Sequence, residues 1–295
     1  VTASTLERMI AIFDVEPAGP AAPSGTPPAR FAGDSDGGGR RVVDGSQILA
    51  QSLVAAGKAL PGRTVRTAHA LFAAVADPAE PIEFAVAPVR AGRSFASAAV
   101  TAAQGGRVRA TCTVLLDRPG PDVIRHDRWT GPPVQGPEAA HPVDMPLAGR
   151  TVRIEDVEDY GSPDEVGPPV IDAWLRYDAV PDRDDLRRAL LAHFTGHLSI
   201  SAAMRAHAGI GTSQAHHTVS TAVLGIGVAF HEPVRWDGWI RYHHESTYAG
   251  AGMAHVRGQV LTGDGRLLAS FTQDAMIRAF EGAEPAASIA AGSRL

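Results

Sequence analysis

Two strings 159 positions apart constrain this chain most: GRVRATCT, Gly106 to Thr113, and GRLLASFT, Gly265 to Thr272. Each follows a glycine-containing turn suited to a β-hairpin, and each alternates apolar and polar residues as a half-buried strand does. A longer alternating block precedes each string: PIEFAVAPVRAGRSFASAAVTAA in the first half, WIRYHHESTYAGAGMAHVRGQVL in the second. Before each block lies a helix candidate. The first is SQILAQSLVAAGKAL, Ser46 to Leu60; the second runs from Asp184 to His207, acid-capped, with Leu186, Leu190, Leu191, Phe194 and Leu198 on one stripe. A repeat at fixed offset means that one supersecondary unit is built twice. In each copy a helix of small side chains, followed by antiparallel strands, suits a helix closely wrapped by a twisted sheet. The order excludes a parallel α/β sheet, in which helices would alternate with strands.

Two Pro- and Gly-rich stretches punctuate the repeat. Glu16 to Arg41 follows a first helix around Leu6 to Phe13 and reads as a long irregular connection. Asp117 to Gly149 carries so many prolines that neither a helix nor a central strand persists through it. The expected division is therefore a first repeat over 1–116, a linker over 117–149, a second repeat over 150–281 and a tail over 282–295. With 44% hydrophobic and 20% charged residues, 295 residues suffice for two compact halves without staples. The only cysteine, Cys112, lies on an alternating strand and reads as a small core residue in a reducing compartment. No apolar run approaches the roughly 20 residues of a membrane span, and the start carries no basic leader, so a cytosolic protein without membrane insertion is expected. A net charge of -5 argues against nucleic acid as a partner.

Parity within the repeat singles out one residue. In the first copy the inward face reads Val108, Ala110, Cys112, Val114; in the second, Leu267, Ala269 and Phe271 lead to Gln273 at the position of Val114. Either the amide is solvated at a strand end, or it faces a cleft where it binds water or a carbonyl.

The strings RVVDGSQILAQSL, HALFAAVADPAEPI, FHEPVRWDGWIRYHHEST and GDGRLLASFTQDAMIRAF, with the R-x-G-x-S-F spacing of Arg90 to Phe95, together resemble the type II (TesB-like) acyl-CoA thioesterases over about Leu6 to Phe280. The resemblance implies an α+β double hotdog, two repeats each with a long central helix wrapped by an antiparallel sheet. It also implies hydrolysis of fatty acyl-CoA, with no metal and no organic cofactor, by a water that an Asp, a Thr or Ser, and a Gln orient. Gln273 falls on the family's Gln. The family's Asp aligns with Gly196 and its Thr with Val223, neither of which can position water through a side chain. Nearby substitutes are His197 as base, with Thr221, two residues before Val223 on the same strand face, assisting Gln273. At the start of the first helix Gly45, Ser46 and Gln47 follow Asp44 as a cap and turn, or as a cleft lining; Arg63, Arg66, Arg90 and Arg93 are surface cations or partners for CoA phosphates.

Other chemistries have less support. His193 and His197 stand at the i, i+4 spacing of two zinc ligands, but FTG between them lacks the Glu of the zinc-protease motif and no third ligand is marked. G-x-S-x-G, the P-loop and the dinucleotide fingerprint are absent. The competing reading is an acyl-CoA-binding protein without turnover; a hotdog dehydratase would need a His and an acid on the central helix. Sheet edges make a homo-oligomer plausible.

Overall fold

The structure, a computed structural model, describes residues 5–19, 28–129, 131, 133, 135–145 and 147–280. The expected tail over 282–295 lies outside these residues. The first half contains α1 (Leu6–Phe13), β1 (Glu16–Pro17), β2 (Ala29–Gly33), α2 (Gly45–Ala59), β3 (Thr64–Phe72), β4 (Ile82–Ala91), β5 (Phe95–Gln104) and β6 (Arg107–Asp117). After a 3-10 turn and the short β7 (His141–Val143) come β8 (Arg150–Ile154), β9 (Val170–Tyr177), α3 (Asp184–Phe194), α4 (Ser199–Met204), β10 (Val219–Phe230), β11 (Ile240–Gly250), β12 (Met253–Thr262) and β13 (Leu267–Ala279).

Among the described residues the strands form one 13-stranded sheet, ordered β1-β2-β4-β5-β6-β3-β10-β13-β12-β11-β9-β8-β7. The same order recurs in both halves: β2-β4-β5-β6-β3 in the first, β9-β11-β12-β13-β10 in the second. These are two hotdog units, joined where β3 pairs antiparallel with β10, Ala68 opposite Val228 and Ala70 opposite Ile226. The double hotdog expected from the sequence is thus the fold, and the strand that precedes each helix completes the repeat. In the first half that strand is β2, inside the stretch expected to be irregular. Its five residues are too few for alternation to register among the prolines and glycines, and pairing with β4 makes the strand.

In α2 every residue from Ser46 to Ala56 is buried, as expected of a helix enclosed on all sides. Its alanines bring the sheet close, and part of its polar complement is satisfied locally, while Gln47 Nε2 and Gln51 Oε1 find no partner among the described residues. Gln51 Nε2 donates to the carbonyls of Ile12 (3.0 Å) and Asp34 (2.8 Å), and Ser52 Oγ donates to that of Ile48 (2.7 Å). Cys112 is a buried core residue, its thiol pushed up to about 12 by burial. Val108, by contrast, is exposed; it sits beside the Gly105–Gly106 turn, where the β5–β6 register shifts between Ala102 and Ala103.

The second central helix is not continuous. It breaks after α3 and resumes as α4, with Leu198 in the left-handed region at φ 64°. Gly196 lies in the break for a steric reason: a Cβ there would stand 2.5 Å from both Cβ and Oγ of Ser46 on α2. The two central helices meet at this point. Among the described residues no helix is long and apolar enough to cross a membrane.

Candidate active site

A cavity of about 350 Å³ opens where α1, the loop before α2, the first turn of α2, the segment leading into β8 and the end of α3 converge. Met9, Ile12, Met145 and Leu147 give it apolar walls, and Arg40, Asp44, Gln47, Arg150, Tyr160, His193 and His197 give it polar ones. Asp44 is the N-cap residue of α2 yet makes no side-chain capping bond; its carboxylate instead takes the Arg40 guanidinium. One donor atom each from Asp44, His193 and His197 lies within 4.8 Å of the others.

The two imidazoles reach the cavity because the helical path continues for one turn beyond α3. His197 Nδ1 lies 3.2 Å from the carbonyl oxygen of His193. That oxygen can only accept, so Nδ1 carries the proton and Nε2 keeps its lone pair. The His197 ring stacks on Phe194 at 5.1 Å and 9°. His193 is buried against Phe13, and its Nδ1 has no hydrogen-bond partner among the described residues. Burial, reinforced by the charge of Arg150, pushes His197 down to about 4. Burial and His197 hold His193 well below the ordinary histidine value. Burial alone would raise the Asp44 carboxyl, but His197, Arg40 and His193 together draw it below its usual value. With both imidazoles neutral at pH 7, Arg40 is the standing cation beside an ionised carboxylate.

Of the catalytic and substrate-binding candidates read from the sequence, His197 and Gln47 line this cavity, as do Asp44 and His193, which the sequence offered only as a cap and as half of a zinc-like pair. Gln47 Oε1 accepts from the Asp36 amide at 3.3 Å. Gly45 packs on the Phe72 ring and Ser46 on Gly196, so neither faces it. Arg90 and Arg93 are exposed around the β4–β5 turn. That turn adjoins Asp117, which pairs with both Phe95 and Thr64 just beyond the C-terminus of α2. The cavity is at the other end of this helix, about 22 Å away for 15 residues. Both arginines therefore lie away from this cavity, at the turn that the R-x-G-x-S-F spacing builds.

Gln273 is 1% exposed, in mid-strand between Ile226 of β10 and Val256 of β12, and neither amide atom has a hydrogen-bond partner among the described residues. It is not solvated, nor does it line the cavity. It lies on the sheet face that α4 covers. There Ser199 Oγ stands 3.1 Å from Nδ1 of the fully buried His244, whose Nε2 is also unpartnered. Thr221 is buried opposite Ile277, four residues along β13 from Gln273, or about 13 Å. The register therefore keeps Thr221 from sharing one water with Gln273. Val223 is opposite Ala275, half-buried against the core, and Gly196 has no room for the family's acid.

Sequence reasoning passed over His193, Asp44, Arg40 and Arg150 as members of one site. The i, i+4 histidines are visible, but nothing in the sequence announces that the N-cap Asp44 would fold against them from 149 and 153 positions away.

Comparison with known proteins agrees with this architecture. Residues 33–116 match the acyl-CoA thioesterase N-terminal domain and residues 122–277 the acyl-CoA thioesterase C-terminal domain. The chain is 28% identical over 267 residues to acyl-CoA thioesterase 2 of Haemophilus influenzae, covering 84% of this chain and 92% of that one. It is 27% identical over 263 residues to human acyl-coenzyme A thioesterase 8, covering 79% of this chain and 80% of the other. Among solved structures it is similar in fold to the tesB protein of Mycobacterium avium subsp. paratuberculosis, with a TM-score of 0.73 at 21% identity over 92% of this chain and 99% of that one.

Proposed function

The chain belongs to the acyl-CoA thioesterase family, and on that premise we propose that it hydrolyses fatty acyl-CoA to the free acid and CoA by attack of a positioned water on the thioester carbonyl. The observation that carries the catalytic assignment is the convergence of a neutral imidazole and an ionised carboxylate, from opposite halves of the chain, in one partly apolar cavity. His197 Nε2 takes a proton from water as it attacks, and Asp44 stabilises the imidazolium that forms. The tetrahedral intermediate then collapses, the C–S bond breaks, and the CoA thiolate leaves and is protonated by the imidazolium. A thioester is activated enough that this positioning suffices without a covalent intermediate.

Gln273 lies outside this cavity, so its proposed role requires substrate to extend from His197 past Ser199 to the sheet face that carries the amide. A buried carboxamide with neither atom paired is costly unless it is held for a group that arrives with substrate, such as the carbonyl or the water. Thr221 has no place in this mechanism. Loss of the family's Asp and Thr at Gly196 and Val223 no longer favours a binding protein without turnover, because Asp44 and His197 supply the missing polar functions at the helix junction. We further place the protein in fatty-acid metabolism of the cytosol, in keeping with its single, buried thiol, and expect its sheet edges to support a homo-oligomer.

Free-thiol release from a series of acyl-CoAs tests the reading. His197→Ala is expected to lower kcat by about 100-fold or more, the range of a positioned general base. An unchanged rate in that variant would remove His197 as the base, and no thiol release by the wild type at any chain length would remove the enzyme.

A further inference from the structure

We propose that Asp44, His193 and His197 form a reversible binding site for a borderline divalent transition-metal ion of the zinc class, and that the metal inhibits hydrolysis by taking the lone pair that His197 would use on water. The second half of this statement rests on the proposed role of His197; the first does not.

Three observations carry it. The donor atoms of the three side chains already lie within 4.8 Å of one another, and side-chain rotations of about an ångström would close them onto an ion with ligand bonds of about 2.0–2.2 Å. His197 is held in the tautomer a ligand needs, since its Nδ1–H donates to the His193 carbonyl; metal-bound histidines are commonly oriented in this way through the other ring nitrogen. Asp44 occupies a helix N-cap without making the capping bond, and buried His193 keeps an unpartnered Nδ1, so the helix does not consume either donor.

The donor set fixes the metal class. Two imidazoles and one carboxylate suit Zn²⁺ and its late first-row neighbours, whereas Mg²⁺ and Ca²⁺ seek oxygen ligands. Three protein ligands leave a fourth position open to water. The guanidiniums of Arg40 and Arg150 oppose a second cation, so affinity falls short of a structural zinc site. Such a site fills and empties with the free metal concentration, which makes it a regulatory device and not a resident cofactor.

Co²⁺ reports its ligand field in the visible spectrum without any turnover. Wild-type protein titrated with Co²⁺ is expected to develop visible d–d absorption at one equivalent, displaced by Zn²⁺ and not by Mg²⁺. Asp44→Asn, nearly isosteric, and His193→Gln are each expected to weaken Zn²⁺ retention in equilibrium dialysis by roughly 100-fold or more, beyond what loss of a supporting hydrogen bond does. His255→Ala, at the exposed His255–Asp274 pair, is expected to leave retention unchanged and so controls for surface binding. No stoichiometric absorption, or equal retention in Asp44→Asn, His193→Gln and wild type, would overturn the site. If Zn²⁺ binds as expected but the loss of thioester absorbance proceeds at full rate, the site stands, while the inhibition and the role of His197 as base both fall.

Discussion

Gln273 and Val114 occupy matching places in the two repeats, 1% and 2% exposed, and differ in that one brings two hydrogen-bonding groups into the core. An unpartnered buried amide costs about 1–3 kcal/mol. Gln273→Met, of similar volume, is therefore expected to raise the urea midpoint by an amount worth about 1 kcal/mol while lowering thiol release by 10-fold or more. A variant that is less stable and fully active would make the amide structural. His244 offers a second test. Burial, then the charges of His243 and His197, push its pKa down to about 3, so folded His244 stays neutral where an unfolded histidine, near 6.5, takes up a proton. The unfolded state then binds more protons between these values. Stability from this residue is complete above about 6.5 and is lost as pH falls toward 3, by up to about 1.4 kcal/mol per pH unit. Urea midpoints between pH 7 and 5 should fall less steeply in His244→Gln than in wild type; equal slopes would show that His244 is not what limits acid stability.

The break between α3 and α4 is an element-scale feature with one cause at Gly196. Leucines on a stripe from 186 to 198 read as a single helix, and the stripe is genuine: Leu186, Leu190, Leu191, Phe194 and Leu198 are all buried. What periodicity cannot express is the close crossing with α2. A Cβ at 196 would overlap Ser46, so Gly196→Ala should cost about 2 kcal/mol in urea unfolding, the usual penalty of overpacking. Adding Ser46→Gly should recover at least half of that loss. A neutral single variant would mean that the helices can slide apart, and that the break has another origin. The short β2 shows the complementary failure, for five residues among prolines and glycines become a strand only through β4. The start of α3 is legible because Asp184 and Asp185 in its first turn are a local signal, and that of α2 because Asp44 is a residue type favoured at the N-cap, although its side chain makes no capping bond.

On the scale of the whole molecule, the halves are bound by more than their linker. β3 pairs with β10, Arg188 on α3 donates to the Val65 carbonyl at 3.2 Å, and Asp14 after α1 binds both Lys58 of the first half and Arg183 of the second. Asp44 and His197 meet across the same junction. A single cooperative transition is therefore expected. The 4 tryptophans, Trp129, Trp174, Trp236 and Trp239, all lie beyond the first repeat, so their fluorescence reports on the second half while far-UV circular dichroism reports on both. Coincident urea midpoints by the two probes are predicted; two separated midpoints would mean that the halves fold independently.

By itself the sequence determined the duplication, the two central helices, the hairpin ending each repeat and the asymmetry at 273, because alternation, helical spacing, caps and turns act over a few residues and repeat at a constant offset. The tertiary structure decided what faces what. It placed Asp44 against His193 and His197, sent Arg90 and Arg93 to the far end of α2, set Thr221 about four strand positions from Gln273 and left that amide without a partner. Such pairings depend on strand register and on how closely two helices cross, which are set by packing between distant segments and leave no periodic trace along the chain.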